Sequence, residues 1–166
     1  MIATVANGGT LYRPRLVSRV ESVDGATVRE YGPEKIRAIE IKPTTLERIH
    51  NALADVVNAP GGTGGAARSA MVEIAGKTGT AQVVEMKGGY VKTEQLAYFN
   101  RDHAWFVSYA PVQNPQIAVV VLIEHGGHGG DAAAPLAKKV IEKYIALQNR
   151  PADARQVRAE GENRAN

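Results

Sequence analysis

Apolar residues recur along this chain with a helical period in two segments. Over residues 44–58 they return every three or four positions, which predicts a helix capped by Thr44 or Thr45. The same spacing over residues 131–148 predicts a second helix, with Asp131 as its cap. The apolar positions that define the two faces are Leu46, Ile49, Leu53, Val56 and Val57 in the first helix, and Leu136, Val140, Ile141, Tyr144 and Ile145 in the second.

Three shorter apolar segments predict the strands of a sheet. Residues 72–84 form a strand-like run with small residues at its centre, and residues 104–109 and 116–124 are two strands joined by about six residues. So short a connection favours an antiparallel hairpin. Three antiparallel strands followed by a terminal helix predict an α+β fold, in which helices pack against faces of the sheet.

The N-terminal third predicts a helix end and a hairpin. Residues 1–9 are expected to form the last turns of a helix, which Asn7 and the two glycines after it end in the left-handed conformation. Because this helix lacks an N-cap, we expect the chain to start inside an element. Residues 16–22 and 27–31 flank an Asp-Gly pair at 24–25, which is a strong hairpin signal.

The remaining segments are polar or rich in glycine. Residues 59–65 are expected to be a mobile connection rather than a binding loop, and residues 85–101 form a polar loop of a length that is often functional or mobile. Residues 150–166 are expected to be a disordered polar tail. The predicted organisation is therefore one part of a folded domain over residues 1–149, followed by that tail.

Composition narrows the class of protein. The chain has 166 residues, of which 44% are hydrophobic and 22% charged, as in an ordinary globular domain. The formal net charge is only +3 and the basic residues are scattered, so we expect no nucleic-acid partner. Cysteine is absent, which excludes disulfides, thiolate metal sites and a cysteine nucleophile. No apolar run approaches the ~18 residues of a membrane span, and no signal peptide opens the chain.

Residues 74–84 read IAGKTGTAQVV and allow two interpretations. A phosphate-binding loop requires a glycine five positions before Gly76, where this chain has Met71. Such a loop also leads into a helix, whereas residues 81–85 are strand-like. The nucleotide-binding interpretation therefore fails in both spacing and context.

Lys77-Thr78-Gly79 is instead one of three signatures of the penicillin-binding proteins and serine β-lactamases. Gly79 lets a substrate backbone approach the strand closely. Thr78 and Thr80 offer hydroxyls to a carboxylate, and Lys77 supplies a fixed positive charge. The edge of a strand also offers backbone N–H groups to a developing oxyanion or to an added peptide strand.

The flanking sequence makes this signature specific. The matching pieces are ANGG at 6–9, YRP at 12–14, AGKTGTAQV at 75–83, HAWF at 103–106, YAP at 109–111, and GG at 129–130 followed by AAAP at 132–135. In order and content the chain resembles the class B penicillin-binding proteins over residues 1–149, most closely the penicillin-binding protein 2 type of cell-wall elongation. Gln82 favours that type over the division type, which usually carries a basic residue there.

This resemblance implies a D,D-transpeptidase whose serine attacks the D-Ala-D-Ala end of a peptidoglycan stem peptide, and which β-lactams acylate. Lys77 and Thr80 would be catalytic, Lys77 beside the proton-relay residues and Thr80 through its backbone N–H in the oxyanion hole. The substrate or β-lactam would be bound by Thr78, Gly79, Thr80, Ala81 and Gln82. We expect no cofactor and no metal.

The family also needs Ser-x-x-Lys, which carries the nucleophile, and Ser-x-Asn. The four serines of the chain are Ser18, Ser22, Ser69 and Ser108, and none of them is followed by lysine at the third position or by asparagine at the second. Without a nucleophile the covalent step is lost. We therefore expect a C-terminal fragment that is inactive alone; the alternative is a non-catalytic binding or assembly module of an elongation complex.

The resemblance also implies a parent protein anchored in the cytoplasmic membrane, with this domain on the extracytoplasmic side and with elongation proteins as partners. In the family a further strand pairs with the strand at 116–124. The isolated chain is therefore expected to expose an apolar edge and to self-associate.

Three other residue sets have ordinary interpretations. His125 and His128 lie three positions apart, with Glu124 and Asp131 nearby, and such a pair can ligate zinc. Short spacings of this kind specify a metal site only loosely, and the resemblance implies a strand-to-helix turn here, which is favoured. His50 is expected to be a partly buried histidine with a hydrogen-bond partner. Of Trp105 and Phe106, alternation along a strand makes at least one a core residue.

Overall fold

The computed structural model describes residues 1–84 and 95–150. They belong to two compact units, an N-terminal unit over Met1–Ala52 and a C-terminal unit that starts at Leu53. The predicted tail at 150–166 lies outside the described residues except for Arg150, and most of the predicted loop at 85–101 lies outside them as well. Among the described residues, no helix has both the length and the apolar character to cross a membrane.

The N-terminal unit holds a short helix and two separate two-stranded ribbons. Helix α1 spans Ile2–Ala6, and the strands are β1 (Thr10–Tyr12), β2 (Arg19–Glu21), β3 (Thr27–Glu30) and β4 (Lys35–Ala38). The predicted hairpin is confirmed, since β2 and β3 pair antiparallel with Arg19 opposite Glu30. Strand β4 and its antiparallel pairing with β1 were not predicted.

Two details at the start of the chain refine the sequence interpretation. Asn7 follows α1 with a φ of −92°, so the left-handed conformation expected for it is wrong. The glycines supply that conformation instead, with φ of 83° at Gly8 and 105° at Gly9. His50 has the expected partner, because its Nε2 lies 2.8 Å from the carbonyl oxygen of Val5.

Helix α2 covers Pro43–Asn58 and starts earlier than predicted. Thr44 and Thr45 therefore lie inside its first turn and are not its caps. Proline suits a first helical position because its φ is already helical and its missing N–H would have no partner there. Within the predicted apolar face only Val57 is fully buried.

The C-terminal unit is built on one antiparallel sheet. Strands β5 (Ala75–Ala81), β6 (His103–Ala110) and β7 (Ile117–Ile123) lie in the order β5-β6-β7. Gly79 pairs with Trp105, and Trp105 in turn pairs with Leu122. The predicted hairpin of β6 and β7 is confirmed, and among the described residues β5 is an edge strand of this sheet.

One face of the sheet packs against the C-terminal helix, as an α+β fold requires. Phe106 is fully buried in this core, whereas its neighbour Trp105 lies on the opposite face and is partly exposed, as alternation predicted. The core cluster contains Val57, Ala67, Ile74, Ala104, Phe106, Ala110, Val119, Ala133, Ala134, Ala137, Ile141 and Ile145.

The last helical segment differs from its prediction in two respects. A short helix α3 (Gly129–Ala132) precedes α4 (Ala134–Gln148), and Asp131 lies within α3, so Asp131 does not cap the final helix. Leu136 and Val140 were expected on the buried face but are exposed. Three alanines occupy the core instead, because their small side chains allow the helix to lie close to the sheet; these are Ala133, Ala134 and Ala137.

Candidate active site

The Lys-Thr-Gly segment lies in β5, at an edge of the sheet. Gly76 fixes its distance from β6, because a Cβ there would lie 2.6 Å from Phe106 Cζ and 2.8 Å from the carbonyl oxygen of Val107. A larger residue would push the strand away from the core. In the described part of the chain β5 has β6 as its one partner strand. Alternate backbone N–H and C=O groups of β5 therefore point away from the sheet and can pair with an extended ligand.

The side chains of β5 divide between the two faces. Thr78 and Thr80 lie on the face of Gly76 and the buried core, whereas Lys77 and Gly79 lie on the other. The Lys77 ammonium nevertheless reaches Thr78: Nζ lies 2.9 Å from its carbonyl oxygen and 3.3 Å from Oγ1. A cation and two hydroxyls therefore meet along one edge, which is the donor set expected for a carboxylate ligand.

Thr78 and Thr80 line a cavity of about 310 Å³. Its other walls are Thr63 from the glycine-rich connection and the turn of residues 128–131 before and within α3. All of these residues belong to the C-terminal unit. The cavity is thus bordered by three threonines, by His128 and Asp131, and by two glycines.

Two glycines of α3 bring its backbone against the strands. A Cβ at Gly129 would lie 2.0 Å from the carbonyl oxygen of Trp105 and 2.6 Å from that of Gly79. A Cβ at Gly130 would lie 2.3 Å from the carbonyl oxygen of Thr63. Neither position can accept a side chain without movement of backbone, so the glycine pair determines the shape of the cavity.

Most of the residues predicted for the site lie together. Lys77, Thr78, Gly79, Thr80 and Ala81 are consecutive in β5, and Gln82 follows the strand as an exposed residue.

Three of the four serines form hydrogen bonds away from the cavity, two of them in the C-terminal unit and one in the N-terminal unit. Ser108 is buried in β6 and donates to the carbonyl oxygen of Val119, and Ser69 donates to Glu142. Ser22 bonds to Asp24 in the N-terminal hairpin.

Thr63 was not recognised from the sequence, because the glycine-rich run around it was interpreted as a mobile connection. The structure gives another reason for these glycines. A Cβ at Gly62 would lie 2.4 Å from the carbonyl oxygen of Val56, and one at Gly64 would lie 3.0 Å from the Phe106 ring. Glycine before the active-site strand can therefore indicate close packing, and a threonine between two such glycines is the signal that was missed.

The histidines near β7 have contacts within the protein. The backbone N–H of His125 donates to Nδ1 of His103 at 2.9 Å, and Nδ1 of His125 lies 3.2 Å from the carbonyl oxygen of Arg101. His128 and Asp131 border the cavity beside Thr78 and Thr80. In the part of the chain that the structure describes, no three acidic or histidine side chains are placed to hold a metal ion.

Comparison with known sequences gives a consistent result. Residues 1–142 match the model of the penicillin binding protein transpeptidase domain. The peptidoglycan D,D-transpeptidase MrdA of Haemophilus influenzae is 38% identical over 145 residues, which are 85% of this chain and 22% of that protein. The peptidoglycan D,D-transpeptidase PbpA of Mycobacterium tuberculosis is 34% identical over 156 residues, or 90% of this chain and 28% of that protein.

Comparison with solved structures also finds penicillin-binding proteins. Penicillin-binding protein A of M. tuberculosis, in an imipenem acyl-enzyme complex, superposes with a TM-score of 0.66 at 29% identity, covering 87% of this chain and 29% of that one. Pseudomonas aeruginosa PBP2 gives a TM-score of 0.64 at 35% identity, covering 86% and 28%. The chain thus spans between a fifth and a third of the length of these proteins.

Proposed function

The chain belongs to the penicillin-binding protein transpeptidase family, and from that premise we propose that it forms one wall of the active site of a peptidoglycan D,D-transpeptidase. The observation that carries the proposal is the edge strand β5, which presents Lys77, Thr78 and Thr80 beside a cavity. A strand edge with a cation and two hydroxyls suits an acyl donor that is an extended peptide ending in a carboxylate.

In the proposed reaction a serine hydroxyl attacks the carbonyl carbon of the penultimate D-Ala. The terminal D-Ala leaves with a proton on its amine, and a neighbouring stem peptide's amine then takes the acyl group and restores the serine. Thr78 and Thr80 hold the terminal carboxylate, and the Thr80 backbone N–H stabilises the oxyanion. Lys77 places positive charge beside the proton-relay groups, while Gly79, Ala81 and Gln82 line the donor. A β-lactam acylates the same serine.

This chain alone is proposed to be inactive. None of its four serines has the spacing of the nucleophile motif or of the relay motif. The nucleophile and the relay group would have to come from outside these 166 residues. The active protein is proposed to lie at the extracytoplasmic face of the cytoplasmic membrane, among cell-wall elongation proteins.

A fluorescent penicillin tests this proposal in two proteins. The first is the purified 166-residue chain, for which no covalent labelling is expected. The second is a hybrid in which this chain replaces the matching segment of the Haemophilus influenzae relative, and this hybrid should label. Covalent labelling of the chain by itself would overturn its proposed inactivity, and an unlabelled but folded hybrid would overturn the transpeptidase proposal.

Single variants of the hybrid test whether Lys77 contributes to the acylation rate. Lys77→Ala should lower the acylation rate on the order of 100-fold, as loss of a transition-state electrostatic partner does. Lys139→Ala, at an exposed position of α4, is the matched control and should label at the unaltered rate. Equal rates for both variants would remove Lys77 from the proposed machinery.

A non-catalytic binding or assembly role is the second candidate, and one feature of β7 favours it. Val120 and Leu122 are 52% and 42% exposed at the far edge of the sheet. We propose that this edge leads the isolated chain to self-associate. Light scattering should then show a concentration-dependent mass that falls when both residues are replaced by threonine. A monodisperse monomer would contradict self-association.

A further inference from the structure

The hydroxyl of Thr63 lies 3.0 Å from the hydroxyl of Thr78, across the cavity edge. From this contact we infer that Thr63 is a positioning residue: it orients the Thr78 hydroxyl toward a bound carboxylate. The inference rests on the proposed function, since it concerns the same cavity, but it adds a residue that lies 15 positions before Thr78 and outside the Lys-Thr-Gly signature.

The donors and acceptors around Thr78 Oγ1 show how Thr63 can orient its hydroxyl. An ammonium group can only donate, so Thr78 Oγ1 accepts from Lys77 Nζ at 3.3 Å. If Thr63 also donates to Thr78 Oγ1, both lone pairs are occupied and the Thr78 hydrogen must point elsewhere. If Thr78 donates instead, the Thr63 hydrogen becomes the free one. The inferred role corresponds to the first direction, in which Thr63 donates and the Thr78 hydrogen is free for a ligand in the cavity.

The position of Thr63 depends on its backbone rather than on its hydroxyl. The N–H of Gly64 donates to the carbonyl oxygen of Val56 at 2.9 Å, and Gly64 is buried beside Phe106. The carbonyl oxygen of Thr63 lies against Gly130, where no side chain would fit. Removal of the hydroxyl should therefore leave the segment in place and change only the orientation of Thr78.

Without the Thr63 hydroxyl, Thr78 Oγ1 keeps the longer contact with Lys77 Nζ at 3.3 Å. The Thr78 side chain should then populate more than one rotamer, and a carboxylate must select the productive one. The expected consequence is weaker binding of carboxylate ligands by about fivefold, the size of one net hydrogen bond. The rate of the chemical step at saturation should change little, because the contact is made equally in the ground and transition states.

The first experiment needs no activity and uses the 166-residue chain. Three-bond scalar couplings measured by NMR report the χ1 rotamer of Thr78. A single rotamer is expected in the wild type and in Thr63→Ser, which keeps the hydroxyl, and averaging is expected in Thr63→Val. Thr44→Val, which removes an exposed threonine hydroxyl in α2, should leave the couplings unchanged. Unchanged Thr78 couplings in folded Thr63→Val would overturn the inference.

The second experiment measures penicillin binding by the hybrid protein, in which this chain replaces the matching segment of the Haemophilus influenzae relative. Thr63→Val should raise the half-saturating penicillin concentration about fivefold and leave the limiting acylation rate unchanged, and Thr63→Ser should restore binding. With the methyl ester of the same penicillin, which lacks the carboxylate, wild type and Thr63→Val should be equal. An equal loss for acid and ester would overturn the positioning role, because it would indicate a general distortion.

The two experiments separate the inference from the proposed function. If the wild-type hybrid does not label, the transpeptidase proposal fails, and the NMR couplings still decide whether Thr63 orients Thr78. If the wild type labels and Thr63→Val behaves identically with the acid, only the inference about Thr63 fails.

Discussion

The two units of the chain form antiparallel strands by different means. In the C-terminal unit, β6 alternates between a buried face, where Phe106 lies, and a more open one, and a helix covers the buried face. In the N-terminal unit, every residue of β2, β3 and β4 is exposed. Two-stranded ribbons of this kind are marginally stable by themselves. The candidate site therefore rests on side-chain packing, whereas the ribbons rest on turns and backbone hydrogen bonds.

The largest expected effect comes from removing a core side chain of the C-terminal unit. Phe106→Ala deletes a fully buried ring that contacts the helical side of the sheet, and it should lower the free energy of unfolding by about 3–5 kcal/mol. Urea denaturation can be followed by the fluorescence of Trp105, the single tryptophan of the chain, which lies in the same strand.

The matched change in the N-terminal unit is Val28→Ala in β3. Val28 is 67% exposed, so its loss should alter the free energy of unfolding by no more than about 0.5 kcal/mol. If Val28→Ala destabilised the chain as much as Phe106→Ala, the distinction between a packed unit and hydrogen-bonded ribbons would be wrong.

The second prediction compares one glycine in each unit, Gly129 in the C-terminal unit and Gly32 in the N-terminal unit. Gly129→Ala would place a Cβ 2.0 Å from the Trp105 carbonyl oxygen, so α3 or β6 must move. We expect a loss of about 1–3 kcal/mol, typical of overpacking, together with reduced penicillin labelling of the hybrid protein.

The control for Gly129 lies in the N-terminal unit. A Cβ at Gly32 would meet no atom within 4 Å, and its φ is not in the left-handed region, so Gly32→Ala should leave the urea midpoint within error or raise it slightly. A normal midpoint and normal labelling for Gly129→Ala would show that α3 does not fix the cavity wall.

The same contrast explains what the sequence could predict. Helix α2 has a strong apolar period, the short connection between two apolar segments predicts the β6–β7 hairpin, and the Asp-Gly turn identifies β2 and β3. The pairing of β1 with β4 has no such signal, because β1 is only three residues long and the four residues of β4 are all exposed, so neither strand shows an apolar alternation. It depends on contacts between residues such as Thr10 and Ala38, which local patterns do not encode.

Contacts between segments that are distant in sequence explain two further errors. Periodicity placed Leu136 and Val140 inside because they are large and apolar, whereas the close approach of α4 selects alanines such as Ala137. The Lys-Thr-Gly segment was found from its motif. Thr63 was not, because its contact with Thr78 exists only after the glycine-rich segment has folded against the sheet.

The smallest expected effect depends on pH and on Tyr109, a fully buried residue of β6. Burial raises the pKa of the Tyr109 hydroxyl above its ordinary value, and the charge of Glu73 raises that pKa further. An unfolded tyrosine loses its proton near pH 10. The contribution of neutral Tyr109 to stability is therefore complete below that pH and is lost as pH rises through the higher pKa of the folded state.

Tyr109→Phe removes this titration and should flatten the fall in the urea midpoint as the pH rises above about 10, the ordinary pKa of a tyrosine in the unfolded chain. Tyr98→Phe is the matched control: Tyr98 is 55% exposed in the C-terminal unit, and its replacement should retain the wild-type fall. Because burial raises the pKa of Tyr109 by desolvation, identical alkaline profiles for wild type and Tyr109→Phe would contradict the burial of this side chain in β6.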